Sequence, residues 1–145
     1  MDIEFVQNLL YSESVQTVEK KLFSCSDSSL LHLYAFNYNW DNGFSIPQTI
    51  INNKSCALGT ALTIFYLADG YRYLKEKNNI SDSPEWLNFI KFLYNRILDG
   101  SYNDLSIAFT APLSTVQSLM LKKQLSPQEQ IFIKPINGQN LDIPL

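Results

Sequence analysis

The chain has 145 residues, of which 46% are hydrophobic and 17% charged, and this suits one globular domain with a sizeable core. Nine Phe, eight Tyr and two Trp argue against a disordered chain. The net charge of −3 and the scattered lysines lack the basic surface that nucleic-acid phosphates require, so we expect no nucleic-acid ligand.

The charge is distributed unevenly. Residues 1–70 hold seven acids and three bases, whereas residues 71–145 hold seven acids and eight bases. The acidic half either faces a basic partner or simply keeps the protein soluble. The first ten residues lack the basic start and long apolar run of a signal peptide, and the apolar stretch at 61–68 is too short to span a bilayer. We therefore expect a cytoplasmic protein without membrane contact.

Metal and cofactor sites are not expected. Cys25 and Cys56 do not form a CxxC pair, and His32 is the only histidine in the sequence. Two free thiols are the simplest interpretation, with a disulfide left open. A phosphate-binding glycine loop, a nucleotide-binding fingerprint and an HExxH motif are all missing from the sequence.

Helical spacing of apolar residues dominates the chain. It predicts helices at about residues 3–10, 15–22, 27–36, 45–52, 56–67, 71–77, 83–98 and 114–120. Ser45 with Gln48 predicts a capping box, as does Ser114 with Gln117, and Ser55 predicts a cap for the helix that follows it. The predicted fold is all-α, with residues 1–145 forming one small helical bundle or a short stack of helix pairs. Residues 131–133 fit either a helix or a short C-terminal strand.

The segment Asn37–Gly43 should interrupt the helices, because Asn, Asp and Gly favour turns. Its aromatic residues allow two interpretations. In one, the rings tuck under the loop and make it a rigid connector. In the other, Tyr38, Trp40, Asp41 and Asn42 form an exposed hot spot that contacts another protein.

An enzyme is the alternative hypothesis. Asp41 and Asp69 are candidate acid–base carboxylates and His32 is a candidate base, provided that all three converge in one cleft. Each also has a structural explanation, because Asp41 and Asp69 lie in turn signals and His32 lies among leucines. A third hypothesis is a structural protein that self-associates, with a homodimer left open.

Two motifs resemble a known family. Residues 37–47 read NYNWDNGFSIP and residues 58–70 read LGTALTIFYLADG. They resemble the signature NYNWDxGFxIP followed by LGTALxxFYxADG of an uncharacterised bacterial family, a domain of unknown function. Glu85-Trp86 and the aromatic-rich helix after them also fit, so the resemblance covers about residues 27–100. Asn42 and Ala57 stand where the resemblance implies acids, which weakens any argument that the signature binds a metal or another cation.

The resemblance implies a small stand-alone bacterial protein. Such proteins are similar to immunity proteins, which neutralise a cognate toxin by occluding its active site. The leading hypothesis is therefore a protein-binding module, most specifically an immunity-type inhibitor, whose partner is another protein. Its predicted binding residues are Tyr38, Trp40, Asp41, Asn42 and Asp69, and a hydrolase-like enzyme and a self-associating structural protein remain the alternatives.

Overall fold

The computed structural model describes residues 2–145, except for the side chain of Asn78. Within these residues the chain forms eight α-helices and three short 3-10 segments, so the all-α prediction is confirmed. The helices are α1 (Ile3–Tyr11), α2 (Val15–Phe23), α3 (Ser28–Phe36), α4 (Ser45–Asn52), α5 (Leu58–Leu67), α6 (Gly70–Glu76), α7 (Pro84–Leu98) and α8 (Thr115–Gln124). In the described part of the chain, no helix has both the length and the apolar character needed to cross a membrane.

Several helices begin where polar side chains can satisfy the first free N–H groups. Asp27 accepts hydrogen bonds from Ser29 N and Leu30 N at the start of α3. Ser114 and Gln117 form the predicted reciprocal capping box at the start of α8. These local signals act within one turn, and the sequence shows them directly.

Two predicted caps are wrong. Ser45 is the first residue of α4 rather than its cap, and its hydroxyl bonds Glu19 of α2 instead. Ser55 does not cap α5, whose preceding residue is Ala57 and whose first amide, Leu58 N, donates to Asp104 O at 2.9 Å. In both cases a partner far along the chain replaces the expected local one.

Helix α5 forms the centre of the molecule, where it contacts α3, α6 and α7. Its side chains are buried nearly all round, as the continuous apolar run from Leu58 to Leu67 predicts. Gly59 lets the chain at Ile107 pass directly over this helix, because a Cβ at Gly59 would lie 2.4 Å from Ile107 O. On its other side the same stretch meets Gly138, where a Cβ would lie 2.6 Å from Ser106 O.

The C-terminal third is mostly irregular, and hydrogen bonds join it to the rest of the structure. Residues 131–133 do not form a strand, because Ile131 and Phe132 belong to the 3-10 segment Gln128–Phe132. Over the described residues, extended chain forms only two isolated bridges, Ile107 with Gln139 and Phe109 with Ile136. Further on, the Asn37 side chain bonds the backbone of the tail, donating to Ile143 O and accepting from Leu145 N.

Candidate functional site

The Asn37–Gly43 segment turns tightly after α3. Asn39 accepts a hydrogen bond from Asp41 N at 3.1 Å, and residues Trp40–Asn42 form one 3-10 turn. Tyr38 is buried, and its hydroxyl donates to Gly43 O at 2.8 Å. Gly43 has φ of 87°, a conformation that favours glycine and reverses the chain before α4. The loop is therefore rigid, as the first interpretation of the sequence supposed.

Trp40 is half-buried in an aromatic cluster beneath this turn. Its ring meets Tyr38, Phe44 and Phe89 with centroid separations of 5.3, 6.2 and 6.1 Å. Its Nε1 is buried and has no hydrogen-bond partner among the described residues. A buried unpaired donor is uncommon in native proteins and costs about 1–3 kcal/mol. The ring thus supports the turn, while Asp41 and Asn42 project from it into solvent.

A broad groove adjoins the turn, between α4 and α7. Phe44, Phe89 and Phe92 form its floor, and Phe92 is 37% exposed. The rim carries the amide side chains of Asn42, Gln48, Asn52 and Asn88 together with Ser45 and Glu85. Asn42 is thus the one predicted binding residue that lines the groove, with Trp40 packing against two of its floor residues. We call this surface the α4–α7 groove.

The charges around the α4–α7 groove are separated. Glu85 lies on the rim, Asp41 is exposed beside Asn42, and Glu19 bonds the rim residue Ser45. On the other side, the guanidinium of Arg96 lies over the Phe92 ring, 5.4 Å from its centroid. Amide side chains can both donate and accept hydrogen bonds. The rim therefore offers hydrogen-bond donors and acceptors beside acidic side chains.

Asp69 occupies a different place. It links α5 to α6 in the left-handed conformation, with φ of 64°, and its carboxylate lies 3.5 Å from Arg72. Next to it, Trp86 Nε1 donates to Ala68 O at 2.7 Å, and Arg72 lies over the Trp86 ring. Asp69 therefore has a structural part at a helix junction, and it does not line the α4–α7 groove.

His32 is fully buried within a chain of polar groups. Its Nδ1 lies 2.9 Å from Thr60 Oγ1, and its Nε2 lies 2.8 Å from Asp142 Oδ1. Burial lowers the pKa of His32, although the Asp142 carboxylate works in the opposite direction. In the neutral ring, Nε2 donates to the carboxylate and Nδ1 accepts from the threonine hydroxyl.

Thr60, His32 and Asp142 have the residue types of a catalytic triad. Their exposure is the opposite of that in a triad, where the hydroxyl is accessible and the carboxylate is buried. The Thr60 hydroxyl is buried, so a substrate cannot reach it, whereas the Asp142 side chain is 48% exposed. Hydrogen bonds and ion pairs do not link His32, Asp41 and Asp69 with one another in the described structure. His32 is buried in α3, Asp41 is exposed on the Trp40 turn and Asp69 lies between α5 and α6, so the three residues lie on different elements.

Neither cysteine forms a disulfide in the structure. Burial raises the pKa of both thiols, and that of the fully buried Cys56 reaches about 12. Residues 2–145 contain no group of three or more His, Cys, Asp or Glu side chains that could hold a metal ion.

Sequence reasoning missed Asp142 and the residues that α4 and α7 contribute to the groove. Asp142 lies 110 positions beyond His32, so local spacing carries no signal of their contact. Glu85, Asn88 and Phe92 follow a helical repeat on α7, but the sequence does not show that α4 lies opposite them. Helix periodicity identifies a face, and only the tertiary fold identifies its neighbour.

The chain matches none of the curated proteins and none of the solved structures with which it was compared. A family model described as a domain of unknown function, DUF4274, matches residues 26–98. This match spans half of the chain and includes both motifs, the Trp40 turn and the α5–α6 junction. The chain therefore belongs to the DUF4274 family of domains of unknown function.

Proposed function

We propose that the protein is a protein-binding module and that the α4–α7 groove is its contact surface. The observation that carries this proposal is the groove in which the 37% exposed Phe92 lies beside Phe44 and the buried Phe89, within a rim of four amide side chains. Exposed aromatic area next to groups that both donate and accept hydrogen bonds is typical of protein interfaces. The turn at Trp40 is rigid, so binding would require little further ordering of this surface.

The occupant that fits best is an extended segment of a partner protein. One of its apolar side chains would lie against Phe92, and its main chain would bond Asn42 and Asn88. A basic side chain would lie towards Asp41 and Glu85, away from Arg96. Of the five predicted binding residues, Asp41 and Asn42 would touch the partner, whereas Tyr38 and Trp40 would act by holding the turn.

The finer proposal is an immunity-type inhibitor. A small, rigid protein with an acidic first half suits the occlusion of a basic active site on a bacterial toxin. In this role the Trp40 turn and the groove would cover the toxin's catalytic surface and block its substrate.

The test is partner capture followed by measurement with the purified pair. Wild-type protein retrieves a partner from lysate of the source cells, and the dissociation constant of the pair is then measured by calorimetry. Asn88→Arg places positive charge on the rim of the groove, and Asp41→Lys places it on the exposed turn beside the rim residue Asn42. We expect each to weaken binding by about tenfold or more, with unchanged circular dichroism.

The matched control is Leu105→Lys, which adds a charge at a position that is 57% exposed and lies outside the groove. It should leave the dissociation constant unchanged. Equal affinity of wild type and the two groove variants would overturn the assignment of the surface, and the absence of any partner would overturn the binding function. Inhibition of the partner's toxicity by wild type, but not by Asn88→Arg, would support the immunity role.

Self-association is a second candidate, favoured by α8. Val116, Leu119 and Met120 lie on one face of this helix and are 69%, 56% and 64% exposed. Large apolar side chains at such exposure often mark an interface. A dimer at micromolar concentration in light scattering, dissociated by Met120→Lys, would support this function, and a monomer would exclude it.

A further inference from the structure

A second cavity, of about 310 Å³, lies apart from the α4–α7 groove, at the carboxyl ends of α3 and α5. Phe36 ends α3 and Leu67 ends α5, and both line it. Phe109 and Pro112 close one side, and Asp142 of the tail closes another. Its volume is at the lower end of the range of about 300–1,000 Å³ that is usual for small-molecule sites.

Aromatic rings form the walls of this cavity. Tyr66 and Phe109 are stacked at a centroid separation of 5.8 Å, and Phe36 is stacked on His32 at 6.4 Å. The Tyr66 hydroxyl donates to Phe132 O at 2.6 Å, so its polar end is already used. Burial also raises the pKa of Tyr66, which keeps the phenol neutral. The walls therefore offer ring faces rather than reactive groups.

Asp142 is the only charged residue among the described residues that line the cavity. One carboxylate oxygen accepts a hydrogen bond from His32, which is neutral because burial lowers its pKa. No lysine or arginine in the described structure forms an ion pair with Asp142. The second carboxylate oxygen has no hydrogen-bond or ion-pair partner among the described residues, so it can accept a hydrogen bond from a ligand.

Two helix ends add to this negative potential. Phe36 and Leu67, the last residues of α3 and α5, both line the cavity, so the carboxyl ends of the two helices lie beside it. The carboxyl end of a helix carries a partial negative charge of about half an elementary charge. The negative ends of both dipoles therefore lie near the cavity that Asp142 lines.

We propose that this cavity binds an organic cation, an ammonium or guanidinium group attached to an apolar body. The cation would lie against the faces of Phe36 and Tyr66 and donate a hydrogen bond to Asp142. A single carboxylate supplies too few oxygen ligands for a metal ion, whereas ring faces favour an organic cation. The source is either a free amine or a Lys or Arg side chain of another protein.

The first test compares ligands of equal shape. Phenethylamine and its neutral analogue 2-phenylethanol are titrated into the wild-type protein by calorimetry and by ligand-observed NMR. We expect the amine to bind at least about tenfold more tightly, and its affinity to fall as salt is added. Equal binding of amine and alcohol, or no binding of either at about 10 mM, would overturn the proposal.

The second test identifies the carboxylate. Asp142→Asn should weaken amine binding by about tenfold and leave the alcohol unaffected. The matched control Asp41→Asn removes the same charge from the exposed Trp40 turn and should bind the amine as wild type does. The first test remains decisive even if Asp142→Asn does not fold, because it uses the unchanged protein.

The source is identified by comparing phenethylamine with capped lysine and capped arginine amides. Tighter binding of a capped amino acid would identify a protein side chain, and tighter binding of phenethylamine would identify a free amine. The proposal stands apart from the protein-binding function, because partner binding is measured with Asn88→Arg and amine binding with Asp142→Asn. Either can fail while the other holds.

Discussion

Two buried polar groups fasten the C-terminal third to the helical core, and they do so by opposite means. Glu129 is only 5% exposed and stays charged, bonding Lys77, the Tyr94 hydroxyl at 2.5 Å and Ser126 N at 3.0 Å. His32 is fully buried and stays neutral, bonding Thr60 and Asp142. A charge is tolerated inside the protein where donors surround it, whereas burial favours the neutral form of a base.

The two pKa values express this difference. Burial of Glu129 opposes its ionisation, but the hydrogen bonds from Lys77, Tyr94 and Ser126 outweigh it and lower the pKa from 4.5 to about 2. For His32 burial prevails over the nearby carboxylate, so its pKa lies below 6.5. The Glu129 shift reflects stabilisation of the charged carboxylate, whereas the His32 shift reflects destabilisation of the charged ring.

The largest effect should follow Glu129→Gln. The exchange removes the charge that Lys77 and Tyr94 face, and we expect a loss of about 2–3 kcal/mol in the free energy of unfolding. Urea denaturation followed by tryptophan fluorescence measures it. Glu85→Gln is the matched control, because Glu85 is exposed, and it should change stability by less than about 0.5 kcal/mol. An equal loss of stability in both variants would contradict a stabilising role for the Glu129 charge.

His32→Leu should cost about 1–3 kcal/mol, because it leaves the buried Thr60 hydroxyl without its partner. The double variant His32→Leu with Thr60→Val removes both polar groups. It should therefore be more stable than the single variant, as measured by the same denaturation experiment. If the double variant is the less stable of the two, the hydrogen bond is not the reason for the loss.

The pH dependence of stability should distinguish the contribution of His32 from that of Glu129. As pH falls below 6.5, His32 takes up a proton in the unfolded chain before it does so in the folded one, and stability falls. As pH falls from 4.5 towards 2, the unfolded chain protonates Glu129 first, and stability falls again. His32→Leu should abolish the first loss, and Glu129→Gln should reduce the second, to which Asp82 also contributes because Arg72 lowers its pKa. Denaturation midpoints measured between pH 8 and pH 3 test both expectations. If a variant has the same pH dependence as wild type, the residue that it replaces does not cause the loss assigned to it.

The smallest effect at neutral pH should follow Asp142→Asn, because asparagine keeps an oxygen that can accept from His32 Nε2. Its consequence should appear on acidification. The carboxylate raises the His32 pKa against the effect of burial, so its loss should lower that pKa further. NMR titration of the His32 ring checks this, and a higher pKa in the variant would contradict the proposed pairing.

The sequence predicts local features of this fold well. Ser114 acts as a cap as expected, and the left-handed Asp69 lies at the predicted break between α5 and α6. It does not predict the hydrogen bonds that Ser45 and Leu58 make instead of the expected caps, because their partners lie 26 and 46 positions away along the chain. Periodicity also predicts the helix of Val116, Leu119 and Met120 but not that these side chains are exposed.

The candidate sites show the same division. The Asn-rich turn and its tryptophan were recognisable from composition, and Asn42 does line the α4–α7 groove. The groove itself depends on how α7 packs against the turn, for which Trp40 and Phe89 supply the contact. The second cavity depends on Asp142, which has neither a motif nor a local partner that would single it out.

The close passage of the chain over Gly59 has a consequence for experiments on fragments. A piece cut at the limits of the family match, residues 26–98, would lack Ile107 above Gly59 and the Asp104 carbonyl that receives Leu58 N. In that fragment, the face of α5 at Gly59 and the Leu58 amide would be exposed to water instead of contacting the chain at residues 104–107. The limits of sequence similarity are therefore not the limits of autonomous folding, and an expression fragment should extend at least through Gly138.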